Sequence, residues 1–512
     1  MGLDKIKTLE ELVDITRELK NNGKTIVHCH GCFDITHLGH DRHFTEAKKQ
    51  GDVLIVTLTP DKYIQKGPGR PFCDEAKRLE HLSYLEFVDY VALNKWPTAI
   101  ETIKLIQPNI YAKGMEVLAN KEIDEMDGDR KKVSNLELEE EAVKSIGGKL
   151  YLTDGFTMSS SRIINEITDA ISDESREFIR KMKTDYGVGN ILNLIKSLKE
   201  IRPLVIGDAI LDRYDFCQAM DKSAKEPIVG YKLLSSETHL GGVFAVANHT
   251  AGFTDSLDLV TCIGKNDHDT INGSLSKNIK RNISVQKESE TLVKKRYIEQ
   301  YKGIKLFELY NVDGLVLSAE NEKNTIEYLE KNKSNFDMVI ASDFGHGMIS
   351  QNLANYLSGC GKFLAVNSQL NSGNFGYNFI TKYPRADFVS LNDREIRLPF
   401  QERSNGIEVP IKKLSNELEL NKINITLGKR GSVYYTNGNY FHSPAFIKEP
   451  LDTIGSGDAL FSLTSLLAYK DTDPELLTFL GNCIGGLATR IIGNRRAVDV
   501  TELKKFVSYI MK

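Results

Sequence analysis

Residues 28–40 read HCHGCFDITHLGH and bring together four histidines, two cysteines in C-x-x-C spacing and one aspartate. Three chemistries could use such a set. Zinc could take Cys29 and Cys32 together with His37 and His40. Against it, Cys29 falls in a predicted strand and Cys32 in the turn, no second pair at knuckle spacing follows, and His37-x-x-His40 is one residue short of helical i,i+4 spacing. A redox pair sits at a helix start, whereas this pair precedes one, and haem attachment needs C-x-x-C-H where residue 33 is Phe. Phosphate chemistry fits best. A strand, TIVHCHG, delivers the chain to Gly31, a loop follows, and a helix begins near His40. A glycine turn before a helix start offers free N–H groups and a positive dipole end. His37 and His40 flank Gly39, where imidazoles can donate to phosphate oxygens as charge builds during phosphoryl or nucleotidyl displacement.

A second chemical stretch is DTIGSGDALFSLTSLLAY, residues 452–469. Gly455, Ser456 and Gly457 precede an apolar helix, and small residues at a helix N-terminus make an anion hole for a phosphoryl group in transfer. Asp458 stands in the first turn, where a carboxylate can take a proton from a substrate hydroxyl. Read alone, the stretch is also compatible with a capped helix after a loop.

The elements that would position these residues follow from the apolar pattern. An amphipathic charged helix over 4–20, unlike a signal peptide, is followed by strands and helices in alternation through YVAL and NIYAKG. VLIVTLT is apolar on both faces, which suits a parallel sheet and a doubly wound α/β domain. Residues 121–145 are crowded with charge and read as a solvated loop and helix face. KLYLTDGF returns to strand and SSSRIINEI opens a helix. From about 168 to 200 the pattern is polar and helical, and PLVIGDAILDRY restarts strands. We expect one domain over 1–168, a helical linker over 169–200 and a second domain over 201–512. A length of 512 residues calls for at least two cores. A net charge of −4 gives no basic excess for nucleic acid, and no apolar run approaches a membrane span. Seven cysteines in this length suit a reducing cytoplasm. Gly23-Lys24-Thr25 resembles the tail of a Walker loop, but residue 18 is Glu and a strand follows.

GCFDITHLGH resembles the G-x-F-D-x-x-H-x-G-H signature of the cytidylyltransferase-like nucleotidyltransferases. Three further elements of that family recur in order: KGPGRPFCDEAKR with Lys66, Arg70 and Arg78, YAKGMEV with Gly114, and GFTMSSSRII with Ser159, Ser160 and Ser161. The resemblance implies a Rossmann-like domain in which His37 and His40 stabilise the pentavalent α-phosphate and Lys66 neutralises charge. Gly31, Phe33, Asp34, Arg78, Gly114 and the three serines would bind the nucleotide, with Asp34 holding loop or substrate. Met115-Glu116 departs from the acidic residue usual after Lys113-Gly114.

The second half resembles the ribokinase-type sugar kinases, which implies a ribokinase-like α/β domain with a small β lid. DTIGSGD matches the family's anion-hole signature, with Asp458 as base and Gly455, Ser456 and Gly457 holding the γ-phosphate. Asn392 and Glu395 match N-x-x-E, which orders Mg²⁺ and phosphates through water. Thr426, Gly428 and Gly431 match the nucleotide loop T-x-G-x-x-G. GDAILDRY with Asp212, and Gly241-Gly242, match the sugar side. With KEPIVGYK and the run Lys294-Lys295-Arg296, the chain is similar to the heptose-7-phosphate kinase half of bifunctional enzymes that make ADP-heptose, with the domain order reversed. Lys294 and Arg296 would bind substrate. Departures are Ala245 where Asn is usual, bulkier Val243 and Phe244, His346 for Lys, and VNSQ (366–369) for V-D-P-K.

These resemblances imply a cytoplasmic bifunctional enzyme of nucleotide-sugar and surface-polysaccharide synthesis. One half would phosphorylate a sugar or sugar phosphate with ATP and Mg²⁺. The other would join a sugar 1-phosphate to a nucleotide and release pyrophosphate, giving an ADP-heptose-like product. The alternative is a CTP-dependent transferase making a CDP-sugar or CDP-polyol, with an altered or inactive kinase half. No resident protein-bound metal site is expected, the partners are small molecules rather than nucleic acid or membrane, and both families often form homodimers or higher homo-oligomers.

Overall fold

The computed structural model describes residues 2–64, 71–114, 135–153, 172–222, 225–265, 271, 273–301, 303–311, 316–374, 376–403 and 405–511. The chain divides into two compact units, residues 1–171 with 505–512, and residues 172–504.

The first unit is built on five parallel strands: β1 (Ile26–Gly31), β2 (Val53–Leu58), β3 (Tyr90–Leu93), β4 (Ile110–Gly114) and β5 (Lys149–Thr153). Their order is β3-β2-β1-β4-β5. β2 is buried along its whole length, as expected of a strand covered on both faces. Val27 and Cys29 of β1 pack on one face with Phe44, Leu54 and Ala112, while Ile26 packs on the other with Leu9 and Leu12. The chain leaves β1 in one direction along the sheet and returns to β4 on its other side. The carboxyl ends of β1 and β4 therefore border the crevice where such sheets receive ligands. The helix predicted to start near His40 spans Leu38–Lys48, because His37 caps it. The next helix spans Glu75–Ser83 and is capped by the Asp74 side chain, which accepts from Lys77 N. Within the charged stretch 121–145, the described part is the helix Asn135–Ser145.

The second unit carries two sheets. Strands run β6 (Pro203–Gly207), β7 (Ala209–Lys222), β8 (Val229–Gly242), β9 (Leu257–Gly264), β10 (Ile279–Gln286), β11 (Leu292–Glu299), β12 (Ile304–Tyr310), β13 (Met338–Asp343), β14 (Phe363–Ser368), β15 (Phe388–Asn392), β16 (Lys422–Thr426), β17 (Ser432–Thr436) and β18 (Asn439–Ser443). The large sheet has order β10-β9-β6-β13-β14-β15-β16-β17-β18, parallel as far as β16 and antiparallel beyond. The small sheet, β12-β11-β7-β8, is the lid, with long strands β7 and β8 in antiparallel register. The helix Ser456–Tyr469 packs against the large sheet and is buried from Asp458 to Ala468 on all sides, as its apolar sequence requires. The polar helices read from sequence as a linker, Asp173–Asp185 and Val188–Ser197, group with this unit. Ser175 Oγ donates to Ala445 O at 3.0 Å, Tyr186 OH donates to Asp473 at 2.6 Å, and the Phe178 ring packs on Phe446 and Phe479. No helix among the described residues is long and apolar enough to cross a membrane.

Candidate active sites

The histidines of HCHGCFDITHLGH separate into two groups. His28 and His30 point into the sheet, and each ring lies 2.8 Å from Thr57 Oγ1. Burial, reinforced by the Lys113 charge, pulls His28 down to about 3 and His30 well below its ordinary value, so both stay neutral. Cys29 is enclosed in the apolar core, and burial pushes its thiol up, away from the thiolate a metal or redox site needs. His37 and His40 stand at the loop-to-helix junction instead. His37 Nδ1 accepts from Gly39 N at 3.1 Å, which makes this imidazole the N-cap of the helix. The two rings lie 4.1 Å apart, and the Phe33 ring meets His40 edge-on at 5.5 Å. Phe33 adopts φ 45°, and its ring folds back over Gly31, where a Cβ would stand 2.9 Å from the ring. Only glycine fits beneath it.

Asp34 Oδ1 accepts from Phe72 N at 2.8 Å and Cys73 N at 2.9 Å, so it ties the histidine loop to the segment before Arg78. Arg78, expected on phosphate, lies buried and is engaged elsewhere. Nε donates to Cys73 O, one terminal nitrogen to Cys32 O, and the other to Thr59 O and Asp61 Oδ1. It clamps three loops at the sheet's carboxyl edge. Gly114 closes β4 in register with Thr153. The neighbouring Lys113 forms a largely buried pair with Glu139 (3.1 Å) beside a cleft of about 250 Å³ that His30, Gly31 and Thr59 also line. Nothing in the sequence marks this lysine beyond its place in YAKGMEV. Lys66, Arg70, Ser159, Ser160 and Ser161 lie outside the described residues.

In the second unit one cleft of about 1270 Å³ gathers most of the expected residues. Asp212, Gly242, Lys294 and Arg296 come from the lid side, Asn392, Glu395, Thr426 and Gly428 from the large sheet, and Gly455 to Asp458 from the buried helix and its approach. Gly241 and Gly431 are not among the lining residues and act by omission. A Cβ on Gly241 would stand 2.2 Å from Asp212 Oδ2, and one on Gly431, at φ +86°, 2.0 Å from Ser443 O.

Burial lifts the Asp458 carboxyl to about 6. Gln369 Nε2 donates to its Oδ1 at 2.7 Å. Burial also lifts Glu395, to about 7, even though its carboxylate oxygens accept from Asn392 N (2.7 Å) and Leu370 N (3.2 Å). Asn392 in turn accepts from Arg394 N and Glu395 N, so N-x-x-E is a capping box as well as a lining of the cleft. Arg296 bonds Asp212 Oδ1 at 2.5 Å and Glu308 at 2.8 Å. Lys294 lies over the Phe344 and Tyr310 rings, and burial lowers its pKa. Asp208, below the site, accepts from the N–H groups of Phe344, His346 and Met348 and so shapes the SDFGHGM loop. His346, where lysine is usual, is drawn down by burial to about 4. Asn367 donates to Ser390 O at 2.7 Å. Sequence reasoning missed Gln369 and Asn494 as members of this site. Asn494 donates to Asp212 Oδ2 at 2.8 Å, and nothing in its GNRRA context marks it.

Residues 204–490 match the pfkB family of carbohydrate kinases. The chain belongs to this family. Residues 28–166, ahead of the pfkB region, match the cytidylyltransferase-like family. The bifunctional protein HldE of Aliarcobacter butzleri (strain RM4018) is 44% identical over 111 residues, covering 21% of this chain and 23% of that protein. HldE of Desulfatibacillum aliphaticivorans is 33% identical over 166 residues, covering 32% of this chain and 31% of that protein. The matched stretches thus span between about a quarter and a third of these relatives' length, in the N-terminal part of this chain. The pfkB unit has the fold of phosphofructokinase-2 from Escherichia coli, solved in complex with substrates and products. The TM-score is 0.50 at 14% identity, over 61% of this chain and 100% of that one.

Proposed function

We propose that the protein is a bifunctional enzyme of nucleotide-sugar synthesis, with a transferase over 1–168 and a sugar kinase over 201–512. The observation that carries the kinase half is the convergence of Asp458, the Gly455–Gly457 turn, and Lys294 with Arg296 on one cleft. In the kinase step the substrate hydroxyl gives its proton to Asp458 and its oxygen attacks the γ-phosphorus of ATP. The bond to the ADP oxygen breaks, and the Gly455–Gly457 amides hold the transferring group. Arg296 is held on the sugar side by Asp212 and Glu308, and Lys294 beside it is the cation that would meet a sugar phosphate. The donor set fits Mg²⁺. Each Glu395 oxygen accepts one backbone N–H and keeps lone pairs for a metal-bound water. When bound, the ion would screen phosphate charge.

In the transferase step a sugar 1-phosphate oxygen attacks the α-phosphorus of the nucleotide and pyrophosphate leaves. The adjacent His37 and His40 rings would donate to the α-phosphate, with Lys66 neutralising charge and Ser159–Ser161 on the triphosphate. The likeness to HldE supports ATP as the nucleotide and an ADP-heptose-like product. A CTP-dependent transferase is the second reading, favoured by the cytidylyltransferase-like match. Incubation with Mg²⁺, pyrophosphatase, ATP or CTP and a panel of sugar 1-phosphates and polyol phosphates separates them by product mass. Product with ATP and a heptose 1-phosphate supports the first reading; product only with CTP replaces it. We also propose cytoplasmic residence and a homodimer. Half-exposed apolar lid residues such as Ile228, Leu233, Phe307 and Leu309 support the dimer, and sedimentation equilibrium tests it.

A further inference from the structure

Residues 368–370 form a short strap at the end of β14 that touches two acids of the kinase cleft, Asp458 and Glu395. The Gln369 side chain donates to Asp458 Oδ1 at 2.7 Å, and the next backbone N–H, of Leu370, donates to Glu395 Oε1 at 3.2 Å. The strap is itself held. Gln369 N donates to Asp343 O at 2.8 Å, and Gln369 O accepts from Asn374 Nδ2 at 3.0 Å. Asn374 also receives the Asn371 N–H on its Oδ1 at 2.8 Å. A side chain fixed at its backbone on both sides and bonded to the proposed base has a defined task.

We infer that Gln369 is a positioning residue of the kinase: it fixes the Asp458 carboxylate toward the substrate hydroxyl and sets the pH at which that carboxylate becomes competent. The inference rests on the kinase reading above. Three other charged groups face Asp458 through the cleft. Asp212 opposes its ionisation, Lys294 favours it, and Glu395 is a like charge that Asp458 pushes upward. Gln369 is the neutral member of this set, and its hydrogen bond favours the charged carboxylate. It occupies the place where the family pattern V-D-P-K has lysine. A full positive charge there would favour the carboxylate more strongly, so glutamine leaves the base titrating higher than lysine would.

The test uses the full-length protein and two measurements. The first is the pH profile of kinase kcat/KM for wild type, Gln369→Leu and Gln369→Lys. The acidic limb should move up by about one pH unit in Gln369→Leu and down by about one in Gln369→Lys. Gln369→Leu should lose kcat rather than raise KM, and Gln369→Lys should recover most of it. The second is infrared titration of the Asp458 carboxyl, identified by the band missing from Asp458→Asn. It needs no turnover and should show the same two displacements. Titration midpoints that stay with wild type in both variants, or equal activity loss at every pH, overturn the inference. Displaced midpoints without turnover on any sugar would uphold the role of Gln369 toward Asp458 and overturn the kinase reading instead.

Discussion

Asn494 and Gly455 meet so closely that a Cβ on the glycine would stand 2.1 Å from the asparagine Oδ1, while the amide of the same asparagine donates to Asp212 Oδ2 at 2.8 Å. The anion turn and the sugar-side carboxylate therefore share one spacer. Gly455 also sits at φ +79°, where a Cβ costs roughly 1 kcal/mol. Gly455→Ala should displace Asn494, release Asp212 and lower kinase kcat/KM by about 100-fold or more. Adding Asn494→Gly should return part of the lost stability, because the clash is gone, but none of the turnover. A double-mutant cycle on urea unfolding and on kcat/KM measures both.

Asp458 should work against stability. Its folded carboxyl is lifted, chiefly by burial, from an ordinary 3.8 to about 6. Between these values the folded chain holds a proton that the unfolded chain has released, so stability falls as pH rises through the window and stays reduced above it. Asp458→Asn removes the titration and keeps the acceptor for Gln369. It should leave unfolding unchanged near pH 4 and stabilise the protein by about 1–3 kcal/mol at pH 8. It should also cost the kinase at least about 100-fold in kcat. Chemical denaturation at the two pH values checks the first effect, and a coupled ADP assay the second.

His37 combines a structural and a chemical duty that one substitution can separate. Asparagine can replace the imidazole as N-cap, accepting a backbone N–H in the first turn, so His37→Asn should change stability by no more than about 1 kcal/mol. It lacks the second ring nitrogen, so nucleotidyl transfer should fall by about 100- to 1000-fold. Circular dichroism melting and pyrophosphate release distinguish the two consequences.

Arg78 should matter through its loops. Truncation to alanine strips acceptors at Cys32, Cys73, Thr59 and Asp61 of a buried partner and should destabilise the first unit by roughly 3 kcal/mol or more. Nucleotide affinity and transferase rate should then fall together. Arg78→Lys should recover little, because an ammonium cannot span this fork of acceptors. Urea unfolding and nucleotide titration measure the outcome.

Much of this was legible in the sequence because short stretches carry their own geometry. The strand, glycine and helix start around His37, and the glycines before Asp458, place their chemistry within a few residues. What sequence hid came from separation and burial. Gln369 and Asn494 reach the cleft from loops far from Asp458 in the chain, with side chains common on any surface. Arg78 has the residue type and spacing of a phosphate ligand, yet the Asp34-pinned loop turns its guanidinium inward. The helices expected over 169–200 look polar in sequence, but their apolar stripes, including Ile179, Met182, Ile191 and Ile195, are buried.

The capping box at Asn392–Glu395 gives the cleft two kinds of history. Its oxygens serve the helix start and the Leu370 amide whether or not phosphate ever moves. A descendant that ceased turning over sugar would keep both residues for the sake of folding. Asp458 has no such second duty, and its burial weighs against the folded chain, so relaxed selection would let it drift first. Between Asn392–Glu395 and Asp458, it is Asp458 that bears witness to catalysis.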